Sequence, residues 1–305
     1  MSAGTGLDVV TGAFGYSGAA ITTLLLASGR RVRTLTGHPD GAGANPGIEV
    51  APLDFDDPIG LAVSLAGATT LYNTYWVRFG HGGNDHDAAV ENSRTLFQAA
   101  KRAGVERIVH VSITHPSIGS PYSSFRGKAL VERALVETGI PAAILRPAIL
   151  FGGDGVLLNN VAWLLRRVPV FAIAGDGGYR VRGIRVEDLA ALAVSCGSGR
   201  DNVVIDAVGP DRPTFEELVA AIRREVRSRA MIVHVPLGLV VPMSWLVGRV
   251  LHDVLLTPDE LASMMDGLAD TDGPATGTSS VLAWIAEHGD SLGRTYANEL
   301  ERHFR

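Results

Sequence analysis

The chain has 305 residues, a formal net charge of −5 and one cysteine, Cys196. This charge, without a run of lysine or arginine, argues against nucleic acid as a partner, because neutralising phosphates requires clustered cations. A single cysteine excludes an internal disulfide, and the N-terminus lacks the basic flank and apolar core of a signal peptide. We therefore expect a globular protein of the cytoplasm, and we do not expect membrane contact.

The first predicted element is a strand that runs into a glycine-rich turn. Apolar residues 7–10 lead into Thr11-Gly12-Ala13-Phe14-Gly15-Tyr16-Ser17-Gly18, and an apolar helix follows to residue 27. In such a unit the first glycine makes the tight turn, the second lets the main chain approach a pyrophosphate, and the third lets the helix pack closely. The order strand, turn, helix and strand predicts a dinucleotide site. Its candidate residues in this segment are Gly12, Phe14, Gly15, Tyr16 and Gly18.

The second predicted strand, residues 31–36, ends at Thr36-Gly37-His38-Pro39 without an acidic residue. An acid at this place accepts from the ribose 2′-hydroxyl of NAD and repels the 2′-phosphate of NADP. Its absence favours NADP, with NAD left open. Arg33, Thr36 and His38 are candidate phosphate contacts, and the alternative is that they are surface residues near a turn.

Polar residues also follow the third and fourth predicted strands, residues 49–54 and 69–74. In an open parallel sheet the ligand binds outside the carboxyl ends of the strands. The carboxylate of Asp54, followed by Phe55, can accept from an adenine amino group there, and Asn73 and Thr74 would lie beside the ribose. These four residues are candidate cofactor contacts.

An aromatic segment, residues 75–79, follows the fourth strand. It forms the substrate wall or packs against the C-terminal lobe, and the sequence leaves both open. The next run, residues 81–87, collects ligand-type side chains but lacks helical spacing and a distant partner cluster, so we predict no metal site. We interpret it as a loop over the cofactor that ends in an aspartate N-cap.

The alternation continues with helix, strand, helix and strand over residues 87–103, 107–112, 126–137 and 142–146. This pattern predicts an α/β fold, a Rossmann-type doubly wound parallel sheet over residues 1–210. A smaller, mostly helical lobe, residues 211–305, would cover the substrate. The apolar stretch 232–248 contains His234 and two prolines, and we interpret it as a buried strand and a helix that begins near Pro242.

Together these motifs resemble an extended or atypical short-chain dehydrogenase/reductase, in the branch of the nitrogen-metabolite regulator-like proteins and the nucleotide-binding accessory subunit of respiratory complex I. The motifs are the glycine turn, Asp54-Phe55, Asn92 ahead of residues 99–105, the strand ending at Ser112, Lys128 within 126–132, residues 146–152 and residues 186–190. The resemblance implies NAD(P) binding. It also implies that Pro147 and Ile149 contact the cofactor and that Lys128 binds the nicotinamide ribose hydroxyls. For Ser112 it implies a hydrogen bond to a substrate carbonyl, and the alternative is a strand-end cap.

The chain departs from that family in its proton donor. Active members carry a tyrosine four residues before the lysine, where the ammonium lowers the phenol pKa. Here that position holds Ser124, whose hydroxyl is far too weak an acid to act unaided. Tyr122, six residues before Lys128, is the candidate that would reach the nicotinamide from the start of the helix, and His115 is a further substitute acid.

Three functions follow from these residues. The first is an NAD(P)(H)-dependent oxidoreductase or isomerase on a small organic substrate that the sequence does not identify, with Ser112, Tyr122 and Lys128 as catalytic candidates. The others are a non-catalytic NAD(P)(H) sensor or regulator and a structural subunit stabilised by nucleotide. A homodimer is an open alternative to a monomer.

Overall fold

The computed structural model describes residues 6–37, 46–78, 85–153, 155–239 and 257–298. The chain forms two compact units, residues 1–147 with 186–207 and residues 148–185 with 208–305. The predicted boundary after residue 210 lies near the last crossing, between residues 207 and 208, whereas residues 148–185 group with the second unit. A single linear boundary misses this because the chain passes between the units three times.

The first unit is built on a sheet of seven parallel strands. In chain order they are β1 (Leu7–Thr11), β2 (Arg31–Thr36), β3 (Ile48–Pro52), β4 (Ala68–Asn73), β5 (Arg107–Val111), β6 (Ala142–Pro147) and β10 (Val203–Ala207). The order across the sheet is β10-β6-β5-β4-β1-β2-β3. This is the predicted Rossmann-type arrangement.

Five helices within the described ranges flank this sheet. They are α1 (Tyr16–Ala27), α2 (Pro58–Ser64), α3 (His86–Arg102), α4 (Ser123–Glu137) and α6 (Val186–Gly197). Helix α1 packs with α6, and α3 packs with α2 and α4. Because helices cover the sheet, its central strands β1, β4, β5 and β6 are buried along nearly their whole length, and Val9, Leu71 and Ile108 are fully buried.

The sheet reverses its winding between β1 and β4. From β1 the chain moves outward to β2 and β3, then returns to β4 on the other side of β1. Val10 of β1 lies in register with Tyr72 of β4, so the two strands end side by side. Such a switch point opens a crevice between the loops that follow the strands, where nucleotides bind in this fold class.

In its described residues the second unit contains two small parallel sheets and four helices. Its elements are β7 (Ile149–Phe151), α5 (Val156–Leu165), β8 (Val170–Ala174), β9 (Gly183–Arg185), α7 (Phe215–Glu225), β11 (Met231–Val235), α8 (Pro258–Met265) and α9 (Val281–His288). Strand β7 pairs with β9, and β8 pairs with β11. Phe151, Phe215 and Trp284 belong to its core.

The strand expected near residue 232 is β11, but its residues are half-buried or exposed rather than buried, because it is one strand of a two-stranded sheet. The helix expected from Pro242 lies outside the described residues. Within the described ranges, none of the helices has the length and apolar character needed to cross a bilayer.

Candidate functional site

The glycine turn has the backbone geometry that a phosphate-binding turn requires. Gly12 has a φ of +66°, in the left-handed region that favours glycine. A Cβ on Gly18 would clash with the carbonyl oxygen of Gly12, so this glycine lets α1 pack against the turn. Gly15 is the N-cap of α1, and no side chain caps the helix there. A bare main chain with a helix N-terminus is therefore presented at the switch point.

The other two candidates of the turn lie at its surface. Phe14 is 44% exposed, and Tyr16 is the half-buried first residue of α1. Their roles as cofactor contacts stay predictions.

At the ends of β2 and β3 the backbone is joined by a hydrogen bond from Leu53 N to Thr36 O of 2.9 Å. Asp54 is exposed, and its Oδ1 accepts from the N–H of Asp56 at 2.9 Å. The ring of Phe55 packs on that of Tyr75, with centroids 4.9 Å apart. Asp54 therefore presents a carboxylate to solvent beside an aromatic surface. His38 lies outside the described residues.

Arg33 does not fit its predicted role as a phosphate contact. Its guanidinium donates to Glu49 Oε2 at 2.9 Å from Nη2, and to the carbonyls of Ser64 and Ala66 at 2.9 and 3.0 Å from Nη1. These carbonyls lie at the C-terminal end of α2, where the chain turns toward the start of β4 rather than its end. Arg33 stabilises this turn, and it points to the wrong edge of the sheet for the cofactor.

Buried side-chain hydrogen bonds brace the ends of β1, β4 and β5. Asn73 is fully buried, and its Oδ1 accepts from Thr11 Oγ1 and from Tyr75 N, both at 3.1 Å. Its Nδ2 donates to Nδ1 of the equally buried His110 at 3.0 Å. Both ends of the Asn73 amide are thus used inside the protein. The prediction that Asn73 contacts the ribose is therefore corrected: this residue positions the loop.

Thr74 is the residue that this bracing places at the crevice. Its N–H donates to Thr11 Oγ1 at 2.8 Å, and its hydroxyl donates to Thr11 O at 2.6 Å. A Cβ on Gly12 would lie 3.8 Å from Thr74 Oγ1, so the half-buried hydroxyl lies beside the glycine turn. The Thr74 oxygen keeps a lone pair for a ligand, and its predicted role is compatible with this geometry.

Lys128 on α4 is buried, with 5% of its surface exposed. Its Nζ donates to the carbonyl of Val111 at 2.8 Å and lies 4.5 Å from the centre of the Trp76 ring. Burial lowers the pKa of Lys128 from its ordinary value of 10.5 to about 7, against the opposing effect of the Glu132 carboxylate. Near neutral pH this amine can therefore both release and take up a proton.

Trp76 forms the cover over Lys128. Its ring stacks nearly parallel to His86, with an interplanar angle of 8° and centroids 5.4 Å apart. His86 hydrogen-bonds through Nδ1 to Ser123 Oγ at 2.8 Å and through Nε2 to Arg78 O at 3.1 Å. Trp76, from segment 75–79, therefore lies between the start of α3 and Lys128. For this segment the sequence predicts a substrate wall or packing against the C-terminal lobe, and neither includes this contact.

The Ser112 hydroxyl has a side-chain partner on α4. Its Oγ donates to Glu132 Oε1 at 2.5 Å. Arg146 holds the same carboxylate with two hydrogen bonds, from Nε to Oε1 at 3.0 Å and from Nη2 to Oε2 at 2.6 Å. A hydroxyl has only one proton, so Ser112 would have to release Glu132 in order to donate to a substrate carbonyl, and that role stays a prediction.

Glu132, Arg146 and His110 are site residues that the sequence interpretation missed. One signal was present for Glu132, because residues four apart on a helix lie on the same face and Glu132 follows Lys128 at that spacing. Nothing in the sequence pairs Glu132 with Arg146 on β6 or singles out His110 within an apolar strand.

Tyr122 is the N-cap of α4 and packs against Phe125, with ring centroids 6.0 Å apart. Six helical residues place Tyr122 about 9 Å along the axis and about 120° around it from Lys128. His115 is exposed and has a φ of +51°. Their catalytic roles stay predictions.

Two further candidates lie where the chain leaves the first unit. The carbonyl of Pro147, at the end of β6, accepts from Thr114 N at 3.1 Å. Ile149 lies on β7 of the second unit, and its N–H donates to Arg182 O at 3.4 Å. Their roles as cofactor contacts stay predictions.

The depressed pKa of Lys128 predicts a pH-dependent stability. Below about pH 7 the folded and unfolded states are both protonated, and the fold carries the full cost of the buried charge. Between about pH 7 and 10.5 the unfolded state binds more protons, so the wild type gains about 1.4 kcal/mol of stability per pH unit. Lys128→Met is therefore expected to be several kcal/mol more stable at about pH 6, and this advantage should shrink toward about pH 10.

Urea unfolding of both proteins across this pH range measures the difference. The exposed lysine offers the matched control Lys101→Met, whose stability should follow that of the wild type at each pH. A pH-independent difference between wild type and Lys128→Met would contradict the assigned titration.

Comparison with known proteins places the fold. Residues 6–157 match the NmrA-like family. The chain is 25% identical over 217 residues to the mitochondrial NADH dehydrogenase (ubiquinone) 1 alpha subcomplex subunit 9 of Arabidopsis thaliana, covering 66% of this chain and 53% of that protein. It is 38% identical over 143 residues to the mouse protein of the same name, covering 45% and 37%. The chain thus spans about half or less of these relatives.

Solved structures cover more of the chain. The NADPH-dependent quinone oxidoreductase of Escherichia coli, complexed with NADPH, matches with a TM-score of 0.76 at 22% identity, over 92% of this chain and 99% of that one. The triphenylmethane reductase of Citrobacter sp., complexed with NADP(H), matches with a TM-score of 0.73 at 21% identity, over 92% and 99%. At these identities the likeness establishes the fold.

Proposed function

Residues 6–157 of this chain belong to the NmrA-like family, and from this premise we propose that the protein binds NADP(H) and uses it to reduce a small organic substrate. The observation that carries the proposal is the turn after β1. Gly12 takes a left-handed conformation, Gly15 leaves the N-terminus of α1 without a side-chain cap, and Gly18 allows the close approach of helix and turn. A dinucleotide pyrophosphate can approach this main chain closely, because the glycines carry no side chains that would occupy the space.

NADP(H) is favoured over NAD(H) by two observations. No acid follows β2 at Thr36-Gly37, where NAD-binding proteins carry one. The two similar reductases from Escherichia coli and Citrobacter were crystallised with NADPH or NADP(H). Asp54 and Phe55 would contact the adenine end, and Thr74 the ribose.

In the proposed reaction Lys128 supplies the proton. NADPH, when bound, supplies a hydride to the substrate carbon. The Lys128 ammonium donates its proton to the substrate oxygen and becomes a neutral amine, which solvent later reprotonates. The pKa of about 7 suits this step, because a general acid works best when its pKa lies near the working pH.

A second function, a non-catalytic NADP(H) sensor or accessory subunit, is favoured by two contacts at the same place. The ring of Trp76 lies over Lys128, and the Ser112 proton is given to Glu132. Both remove groups that a substrate would use. The similarity to a complex I subunit is compatible with this reading.

A cytoplasmic location is part of the first proposal and rests on the single cysteine.

The test is a calorimetric titration of the full chain with NADPH and with NADH, followed by incubation with soluble quinones and aldehydes while the absorbance of reduced nicotinamide is recorded. We expect NADPH to bind at least about tenfold more tightly than NADH, a difference of about 1.4 kcal/mol. Oxidation of NADPH by a member of the panel supports the reductase. Binding without oxidation supports the sensor, and binding of neither nucleotide contradicts both.

A further inference from the structure

Glu132 connects three elements at the carboxyl ends of β5 and β6. It lies on α4, one helical turn after Lys128. Its carboxylate accepts from Ser112, which directly follows β5, and from Arg146 near the end of β6. The side chains of Glu132 and Arg146 are 9% and 29% exposed, so this pair is shielded from water on the carboxylate side. One carboxylate thus receives three hydrogen bonds within one turn of the buried amine.

Among the described residues, the charged and titratable groups around Lys128 lie on four elements. On α4 there is Glu132, the carboxylate whose field favours the ammonium form. On β5 there is His110, fully buried, whose pKa burial lowers well below its usual value, so it is neutral at pH 7. On β6 there is Arg146, paired with Glu132, and on α3 His86 lies beyond the Trp76 ring.

We propose that Glu132 is a positioning residue that sets the charge of Lys128 and fixes the direction of the Ser112 hydroxyl proton. The negative charge of its carboxylate stabilises the Lys128 ammonium. Arg146 weakens this stabilisation, because its positive charge partly neutralises the same carboxylate. By accepting the Ser112 proton, Glu132 leaves Ser112 only lone pairs to offer. The hydroxyl can then accept from a substrate hydroxyl or from the Lys128 ammonium but cannot donate to a carbonyl.

The consequence for the reaction rests on the proposed function, but the charge of Lys128 does not. Removing the negative charge of Glu132 takes away the carboxylate that favours the ammonium form, while the positive charge of Arg146, which also interacts with Asp206, stays. Removing the guanidinium leaves the carboxylate unshared and favours the ammonium form. The two substitutions therefore act in opposite directions on one titration, which a general disturbance of packing would not do.

The sequence makes this titration directly observable, because Lys101 and Lys128 are its only lysines. Incorporation of ¹³C-labelled lysine gives two side-chain signals in NMR spectra of the nucleotide-free full chain. The Cε shift of each reports its protonation against pH. Exposed Lys101, in the last turn of α3, serves as the internal reference.

For Glu132→Gln we expect the Lys128 midpoint to fall by about one pH unit, and for Arg146→Met we expect it to rise. Glu132→Asp, which keeps the charge, should lie closest to the wild type. The matched control Glu137→Gln removes an exposed carboxylate from the same helix and should leave both lysines unchanged. If either charged-pair variant fails to fold, the double variant Glu132→Gln/Arg146→Met removes both charges at once, and its midpoint should lie between those expected for the single variants.

Midpoints that stay at the wild-type value, or that move in the same direction in the two single variants, would overturn the proposal. This experiment uses no nucleotide. If NADPH does not bind but the Lys128 midpoints shift as expected, the reductase proposal fails and the role of Glu132 stands. If NADPH binds and is oxidised but the midpoints do not shift, the role of Glu132 fails and the reductase proposal stands.

Discussion

Gly15→Val is expected to lose NADPH binding by at least about 100-fold while the chain stays folded, a loss of about 2.7 kcal/mol in binding free energy. Gly15 has a φ of −84°, which valine can adopt, and its added Cβ would lie 3.3 Å from the Gly12 carbonyl oxygen, a tight but adjustable contact. The branched side chain would instead stand at the N-terminus of α1, where the pyrophosphate is expected. The loss should therefore fall on the ligand rather than on the fold.

Calorimetric titration with NADPH and urea unfolding together measure both effects. The matched control is Gly199→Val, an exposed glycine beyond the end of α6 whose added Cβ meets only ordinary contacts at 3.5 and 3.7 Å. This control should bind as the wild type does. Full affinity in Gly15→Val would show that the nucleotide, if it binds, does not use this turn.

The second large effect is expected for Lys128→Met, with a loss of turnover of about 10²- to 10⁴-fold, the range that a general acid contributes. Because the methionine removes a buried charge, this variant should be more stable than the wild type at neutral pH, so that unfolding does not explain the loss. Steady-state kinetics with the quinone or aldehyde found in the panel measure kcat and KM. The fall should appear mainly in kcat.

Tyr122→Phe is the comparison that separates the two candidate acids. It removes only a hydroxyl, at the N-cap of α4, and we expect kcat to change by less than about threefold if Lys128 donates the proton. A loss in Tyr122→Phe equal to that in Lys128→Met would assign the proton to the tyrosine. Unchanged kcat in Lys128→Met would remove the lysine from the chemistry.

The parts of the site that the sequence predicted are those set by local backbone chemistry. The spacing of Gly12, Gly15 and Gly18 between a strand and a helix is enough to predict the turn, since each glycine answers a constraint within the same segment. The alternation of strands and helices likewise predicts the Rossmann-type sheet, because parallel neighbours need crossover helices. Both predictions are confirmed.

The parts that were wrong or missed depend on which way a side chain points after a strand ends. Asn73 is the last residue of β4, and no periodicity tells whether its amide faces a ligand or the buried His110. Ser112 was placed correctly after β5, but its partner Glu132 is 20 residues away on α4. A single sequence contains no signal for such a tertiary pair, and the same holds for Arg33 and the end of α2.

The indole ring over Lys128 has a consequence for how any affinity will be read. In this conformation the amine already has an intramolecular partner, so a hydroxyl or oxyanion that pairs with it must first displace Trp76. The apparent dissociation constant then equals the intrinsic one divided by the fraction of molecules whose ring has swung aside. A modest measured affinity would therefore reflect the population of that open form as much as the strength of the contacts. Trp76→Ala would then tighten binding without adding an interaction.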